Sequence, residues 1–368
     1  MIPVPLDEYP IHQVPLSLGL VGSSDRNFYD RCYFNGHNRT DELFLVTGFG
    51  VYPNLGVKDA YACLRLGDAQ HAVRFSDRLD DDRMAQQVGD YRIEVIEPLQ
   101  RIRIVCDSAD LGLGFDLTWQ GSFAAIQEQG HIMRSGARAI LDASRFAQVG
   151  TWEGTLHADG RDLAVTPDTW LGTRDRSWGI RPVGEGEPAG RAADEPLDGF
   201  WWLYVPLRFE EFAIVLIVQE LPDGFRTLND ANRIWADGRV EQLGWPRVEI
   251  RYRSGTRHPE HATIHCTAPD GKPVVVDVDT LTFNALNVGA GYGGDPDWGH
   301  GHWRGAEFRE GATYDLTDPA VAGRVPFSVV DHVARATCDG LEGWGLFEHG
   351  TFGRHDPSGF ADWGTQAP

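Results

Sequence analysis

The feature that most restricts the fold of this chain is a period of two, carried by short runs rich in aromatic and β-branched residues. Arg101-Ile102-Arg103-Ile104 alternates strictly, and Arg92, Glu94 and Glu97 stand against Ile93, Val95 and Ile96 almost as regularly. Residues two apart share one face of a strand, so these runs read as half-buried strands with one wet side. Similar runs cover Leu43–Tyr52, Ala60–Leu66, Tyr91–Ile96, Ile102–Cys106 and Phe115–Trp119, with turn formers such as Ala158-Asp159-Gly160 between them. Phe200–Arg208 and Phe212–Glu220 flank Glu210-Glu211 as a hairpin, and Ala262–Thr267 and Pro273–Val278 flank Pro269-Asp270-Gly271 as another. Arg247–Arg253 alternates again. Only Asp77–Val88 and Asp142–Ala147 offer short helices, and neither has an apolar stripe. The first 24 residues hold four prolines and read as an extended arm, because proline breaks both helix and strand ladder. The simplest architecture is all-β: two consecutive antiparallel halves meeting near residues 155–170, with no Ser- or Gly-rich linker between them.

At 368 residues each half can bury a core of its own. The net charge of −21 repels phosphate backbones and anionic membranes, and the arginines are interleaved with acids, so no nucleic-acid partner is expected. Cys32, Cys63, Cys106, Cys266 and Cys338 are scattered, without zinc or redox spacing; they read as reduced thiols, which fits the cytoplasm. The start of the chain has no basic residue before Ser24 and so lacks the charged beginning of a signal peptide. The longest apolar run, Phe212–Val218, is too short for a membrane span.

Near the middle lies Trp170-Leu171-Gly172-Thr173-Arg174-Asp175-Arg176-Ser177-Trp178-Gly179-Ile180-Arg181-Pro182. Glycines on both sides of Asp175 point to a tight turn or bulge aiming its carboxyl into a cavity. Trp170 and Trp178 would raise its pKa by desolvation, as a general acid at neutral pH requires, whereas Arg174, Arg176 and Arg181 would lower it. The alternative is an Asp–Arg brace between the two halves. Phe200-Trp201-Trp202-Leu203-Tyr204 supplies aromatic wall. Among twelve tryptophans, Trp178, Trp201, Trp202, Trp298, Trp303 and Trp344 gather with Tyr204 around glycine-rich segments, while Trp119, Trp152, Trp235 and Trp245 read as core. Such ring faces hold apolar ligands or a developing carbocation.

Other patterns weigh less. Gly289-Ala290-Gly291-Tyr292-Gly293-Gly294 contains GxGxxG, but Asp295-Pro296-Asp297-Trp298-Gly299-His300 follows it, and that cannot be the helix a dinucleotide site needs. A flexible, aromatic-bearing loop at a barrel mouth fits better. His300 and His302 would share a strand face, and His258, His261 and His265 cluster, yet neither group has a metal motif around it. No Gly-x-Ser-x-Gly elbow occurs. Glu348 and His349, inside Gly343-Trp344-Gly345-Leu346-Phe347-Glu348-His349-Gly350, form a second candidate acid–base pair beside the reading that they are structural.

The run Gly172-Thr173-Arg174-Asp175-Arg176-Ser177-Trp178-Gly179, with the aromatic strand Trp201–Tyr204 after it, resembles the lipocalin-like family of carotenoid 1,2-hydratases (hydroxyneurosporene synthases). That family is similar to the lipocalin-like Diels–Alderases and terpene cyclases. The resemblance, over about residues 25–360, implies two tandem calycin-type antiparallel β-barrels with a ligand cavity near their junction. The division it implies is an arm at 1–24, a first domain at 25–165 and a second at 166–368 carrying the Asp/Trp motif. It also implies acid-initiated hydration, dehydration or cyclisation of a hydrophobic isoprenoid or polycyclic substrate without a cofactor. Asp175 would be the acid, tuned or anchored by Arg174 and Arg181, in a cavity lined by Trp178, Trp201, Trp202, Tyr204, Tyr292, Trp298 and Trp303. The arginine-rich motif and the Gly291–Gly293 and Trp298–Trp303 loops depart from the hydratases. A carrier of a lipophilic ligand, or a saccharide-binding protein, are the competing classes.

Overall fold

Alternation and turn chemistry produce an almost purely β structure. The computed structural model describes residues 3–13, 20–186 and 198–368. A first antiparallel sheet opens as a meander of β1 (Phe28–Gly36), β2 (Leu43–Tyr52), β3 (Val57–Leu66) and β4 (Ala69–Arg78). It continues with β5 (Gln86–Val88), β6 (Tyr91–Glu97), β7 (Arg101–Cys106) and β8 (Leu113–Gly121). Then follow β9 (Ile126–Gln127), β10 (His131–Ser135), β11 (Arg138–Ala158), β12 (Arg161–Val165) and β13 (Leu171–Ile180). β13 lies between β1 and β11, and the long β11 also pairs with β8, β9, β10 and β12.

The second sheet begins with β14 (Gly199–Arg208), β15 (Phe212–Glu220), β16 (Arg226–Trp235) and β17 (Val240–Gln242). β18 (Arg247–Tyr252), β19 (Pro259–Thr267) and β20 (Pro273–Ala285) follow. The chain then crosses back: β21 (Phe308–Asp315) adds to the edge of the first sheet beside β4 before β22 (Val330–Cys338) and β23 (Leu341–Gly353) complete the second. The second sheet runs β17-β16-β15-β14-β23-β22-β20-β19-β18. Both sheets curl into lipocalin-like antiparallel barrels, so the fold is all-β with two of them. The motif strand β13 belongs to the first sheet, and the change of sheet falls between Ile180 and Gly199, later than residue 165.

Period two then sorts the side chains into three layers. Phe34, Phe49, Phe75, Trp119 and Trp152 fill the first barrel. Trp201, Leu203, Leu216, Val276 and Phe347 fill the second. Between them, outward residues of both barrels meet: Tyr33, Phe44, Val46 and Tyr61 share one cluster with Trp202, Tyr204, Val215 and Ile217. This shared layer is why β1, β2 and β15 are buried along their whole length instead of having one wet face. Each large apolar side chain so buried contributes roughly 1.5–3 kcal/mol.

Three expectations need correcting. Asp142–Ala147 is part of β11, held on one side by β13 and on the other by β10 and then β9, and Asp77–Val88 spans the end of β4, an acidic turn and β5. Neither is helical, because ladder bonding outweighs a weak local propensity. His300 and His302 lie in a turn, not on a strand. The arm includes a 3-10 turn at Pro5–Glu8, and Glu8 is only 1% exposed.

Candidate active site between the barrels

β13 runs straight through the motif, with no register shift against β1 or β11. Asp175 is therefore aimed by strand alternation and not by a turn or bulge. Gly179 does have φ 132°, and a Cβ there would lie 2.0 Å from the Asp142 carbonyl oxygen, so that glycine is required for close strand approach. Alternation also separates the acid from its neighbours. Thr173, Asp175 and Ser177 face the second barrel; Arg174, Arg176 and Trp178 face away from it.

Arg174 and Arg176 form the braces, though not with Asp175. Arg174 donates from Nη1 and Nη2 to Glu8 at 2.7 and 3.0 Å and from Nε to Gln148 at 2.8 Å. Arg176 donates to Asp30 at 2.8 Å, and Asp30 also holds His12 Nδ1 at 2.5 Å. Trp178 stacks on that His12 ring at 3.6 Å. The arm thus closes one end of the first barrel through buried charge pairs. The carboxyl of Asp175 makes no ion pair among the described residues.

A cavity of about 190 Å³ lies in the shared layer, its walls taken from both sheets. Tyr29, Arg31 and Tyr33 enter from β1, Arg145 from β11, and Asp175 and Ser177 from β13. Phe200 and Trp202 of β14 and Glu348 of β23 face them from the second sheet, with Arg181 and Tyr292 on the connecting segments. Cross-strand register gathers these groups: Tyr33 and Ala147 flank Asp175, while Arg31 and Arg145 flank Ser177. On the opposite wall, Tyr204 and Asp331 flank Glu348. The walls are joined by Tyr33, whose hydroxyl donates to Asp331 Oδ2 at 2.5 Å. Trp202 donates from Nε1 to Glu348.

Four carboxyl groups meet here, Glu128 and Asp331 buried and Asp175 and Glu348 half-buried at the cavity wall. Asp175 is held above the ordinary aspartate range by burial, against the pull of Arg145, Arg31 and Arg181. Burial, with the Asp175 and Asp230 carboxylates, pushes Glu128 up to about 7, although Arg145 lies 2.5 Å away. Asp331, fully buried, is driven well above its usual range by desolvation and by the adjoining Glu348. Glu348 is itself raised, by burial first, so the two titrate together and not independently. Arg145 also reaches over the rings of Tyr204 at 4.7 Å and Trp202 at 5.5 Å. One cavity thus holds carboxyl groups with raised proton affinity, arginines and aromatic rings.

Of the residues selected from sequence, Asp175, Glu348, Arg181, Trp202 and Tyr292 come together around this cavity. Tyr204 is buried beside it in the same layer. Trp298 lines a neighbouring hollow with Tyr292 and Arg181. The others are elsewhere. His349, one residue from Glu348, points into the second barrel, where its ring bonds the Trp202 carbonyl at 2.7 Å and Tyr252 Oη at 3.1 Å; burial lowers it to about 3. Trp201 packs against His349 and His355 in that barrel. Arg174 and Trp178 face the first barrel, and Trp303 is 48% exposed. Tyr33, Arg31, Glu128, Arg145 and Asp331 are additional members of the constellation. Tyr33 and Arg31 carry the period-two spacing that would have selected them; nothing local marks Glu128 or Asp331.

Among the described residues no group of three or more His, Cys, Asp or Glu could hold a metal ion. All five cysteines are buried free thiols. Among the described residues no helix is long and apolar enough to cross a membrane.

Fold and site together define a lipocalin-like protein whose two barrels enclose an acid-bearing cavity. The chain belongs to a family described as a family of unknown function (DUF8625), whose model matches residues 4–361. No curated protein matches it. Solved structures do. An ATTH candidate from Nitrosomonas europaea superposes with a TM-score of 0.54 at 14% identity, covering 88% of this chain and 92% of its own. Kievitone hydratase from Nectria haematococca gives 0.50 at 14%, over 90% and 92%. CghA with Sch210972 gives 0.51 at 12%, over 91% and 92%. These likenesses establish the fold that the sequence motif implied.

Proposed function

We propose that the protein is a cofactor-independent enzyme that hydrates, dehydrates or cyclises a hydrophobic small molecule by acid-initiated chemistry. The observation that carries this reading is the inter-barrel cavity, where Asp175 faces Glu348 and aromatic rings with its carboxyl held above its ordinary range. A carboxyl group whose surroundings favour its protonated form can protonate a double bond or a leaving hydroxyl. The cation that forms would lie against the faces of Trp202, Phe200 and Tyr29. In dehydration Asp175 would give its proton to the departing oxygen, while the Glu348–Asp331 pair on the opposite wall takes one from carbon; hydration is the reverse. A hydratase among the structural neighbours is compatible with this chemistry. The substrate class of isoprenoid or polycyclic molecules rests on the sequence resemblance.

The test is native mass spectrometry of the purified protein with extraction of any bound compound, followed by turnover of that compound. Asp175→Asn should bind it and turn it over about 10²–10⁴-fold more slowly, the usual worth of general acid catalysis. A ligand returned unchanged by the native protein, with Asp175→Asn binding it equally well, would make the protein a carrier. Saccharides as the only ligands would refute both readings.

A further inference from the structure

The cavity has a cationic end whose guanidiniums form no ion pair or hydrogen bond among the described residues. Arg31 is 7% exposed, yet among the described residues its guanidinium makes no ion pair or hydrogen bond; it lies over the Tyr292 ring at 4.7 Å. Arg181 is half-buried and its guanidinium is likewise unpaired, 5.4 Å from the centre of the Tyr29 ring. Both also line the adjoining hollow, of about 290 Å³, beside the glycine loop at 291–294. That hollow contains three more polar atoms without hydrogen-bond partners: both ring nitrogens of His300, and Trp298 Nε1. Asp59 Oδ2 is 3.7 Å from His300 Nδ1 and is taken by the Gly301 N–H at 2.7 Å. His300 is lowered to about 4 by burial and by Arg31, so at neutral pH its ring keeps one N–H to offer.

Asp59 and Asp175 act on these arginines only through space, and a guanidinium held out of water with no acceptor for its N–H groups is costly. A ligand whose anionic group enters the cavity would supply those acceptors. Asp175 faces the same space but forms no ion pair with either arginine, so both planar forks remain open to a bidentate acceptor. We infer that the substrate is an amphiphile with an anionic group, of carboxylate type, seated between Arg31 and Arg181. Its apolar body runs past Phe200 and Trp202 toward Asp175 and Glu348. This rests on the cavity being the substrate site.

The experiment uses the full chain and two isosteric probes, 2-naphthoate and the neutral 2-naphthamide, titrated at neutral pH against tryptophan fluorescence. Naphthoate should bind at least about tenfold more tightly, and more weakly as salt rises. The R31Q/R181Q double variant should lose that preference while holding naphthamide as before. Arg181→Lys, which keeps the charge, should retain part of it and serves if the double variant does not fold. Equal affinity of the native protein for both probes, or a parallel loss of both in the double variant, overturns the anionic group and leaves the cavity reading intact. Failure of both probes to bind overturns both readings together.

Discussion

Glu128 is 5% exposed, ion-paired to Arg145 and still pushed up to about 7, because burial disfavours its charged form and two more carboxylates share its surroundings. The sign of its contribution follows. Its folded value stands above the ordinary 4.5, so between about 4.5 and 7 the folded chain holds a proton that the unfolded chain has released. The associated stability is fully present below 4.5 and is lost as pH rises through 7. Over that window it amounts to roughly 1–3 kcal/mol. Gln is neutral throughout, so Glu128→Gln should gain on the native protein by about that amount as pH is raised from 5 to 8. Urea unfolding at the two pH values reads the difference directly. A gap between the two proteins that stays constant across pH would show that Glu128 is ionised throughout and that Arg145 dominates its environment.

The strand is the scale at which the sequence was most informative, and β13 shows both its reach and its limit. The glycines around Asp175 pointed to a turn or bulge, and read as a turn the motif put Arg174 and Trp178 in the candidate site beside Asp175. As a strand it sets Asp175 and Ser177 on one face and Arg174 and Arg176 on the other, because alternation is a property of the backbone alone, though alternation does not say which face meets the second barrel. The same limit appears at β23, where Glu348 faces the cavity and the adjacent His349 cannot. Glu128 and Asp331 were not legible because their meeting with Asp175 depends on register between strands far apart in sequence. The hairpin at residues 200–220 was legible, because a charged turn between two apolar runs fixes its own pairing. The arm was legible only as irregular; its partner on β13 lies 166 residues away. That pair makes a prediction. Glu8 accepts both Arg174 nitrogens and the Leu99 N–H at 2.8 Å, all in the barrel interior. Removing one member of such a buried pair typically costs about 3–5 kcal/mol, whereas replacing both with apolar residues costs far less. Glu8→Leu should therefore destabilise strongly, and Glu8→Leu with Arg174→Met should recover most of the loss. Additive losses in that double-mutant cycle would show that the arm is held by something other than this pair. Glu8 is depressed below 4.5 chiefly by Arg174, so its contribution is present above that pH and is lost as pH falls through the folded value.

At the scale of the whole molecule the two barrels are one folding unit, since the layer between them is as buried as either interior. Tyr33, Phe44, Val46 and Tyr61 on one side and Trp202, Tyr204, Val215 and Ile217 on the other have no water-facing role once the barrels separate. Polar bonds reinforce the layer: Asn284 donates to the Phe44 carbonyl at 2.7 Å, and Tyr61 and Tyr292 pair their hydroxyls at 3.0 Å. The connection is also topological. β21 comes from the second half of the chain and covers the edge of β4 through eight paired residues. A fragment ending at residue 183 would expose the aromatic layer and leave β4 as an open edge, the combination that templates aggregation. Expressed alone, that fragment should be insoluble or oligomeric, while the full chain unfolds in a single calorimetric transition. The decisive comparison is the fragment extended with the segment 286–315 through a flexible linker. If β21 restores solubility by itself, the edge was the weak point and the barrels are separable. If it does not, the apolar layer is what binds them, and the cavity in that layer exists only when both barrels are present. A soluble, monomeric fragment ending at 183 would refute the single unit outright. The catalytic proposal would then need both walls to be assembled by association of two independently folded barrels.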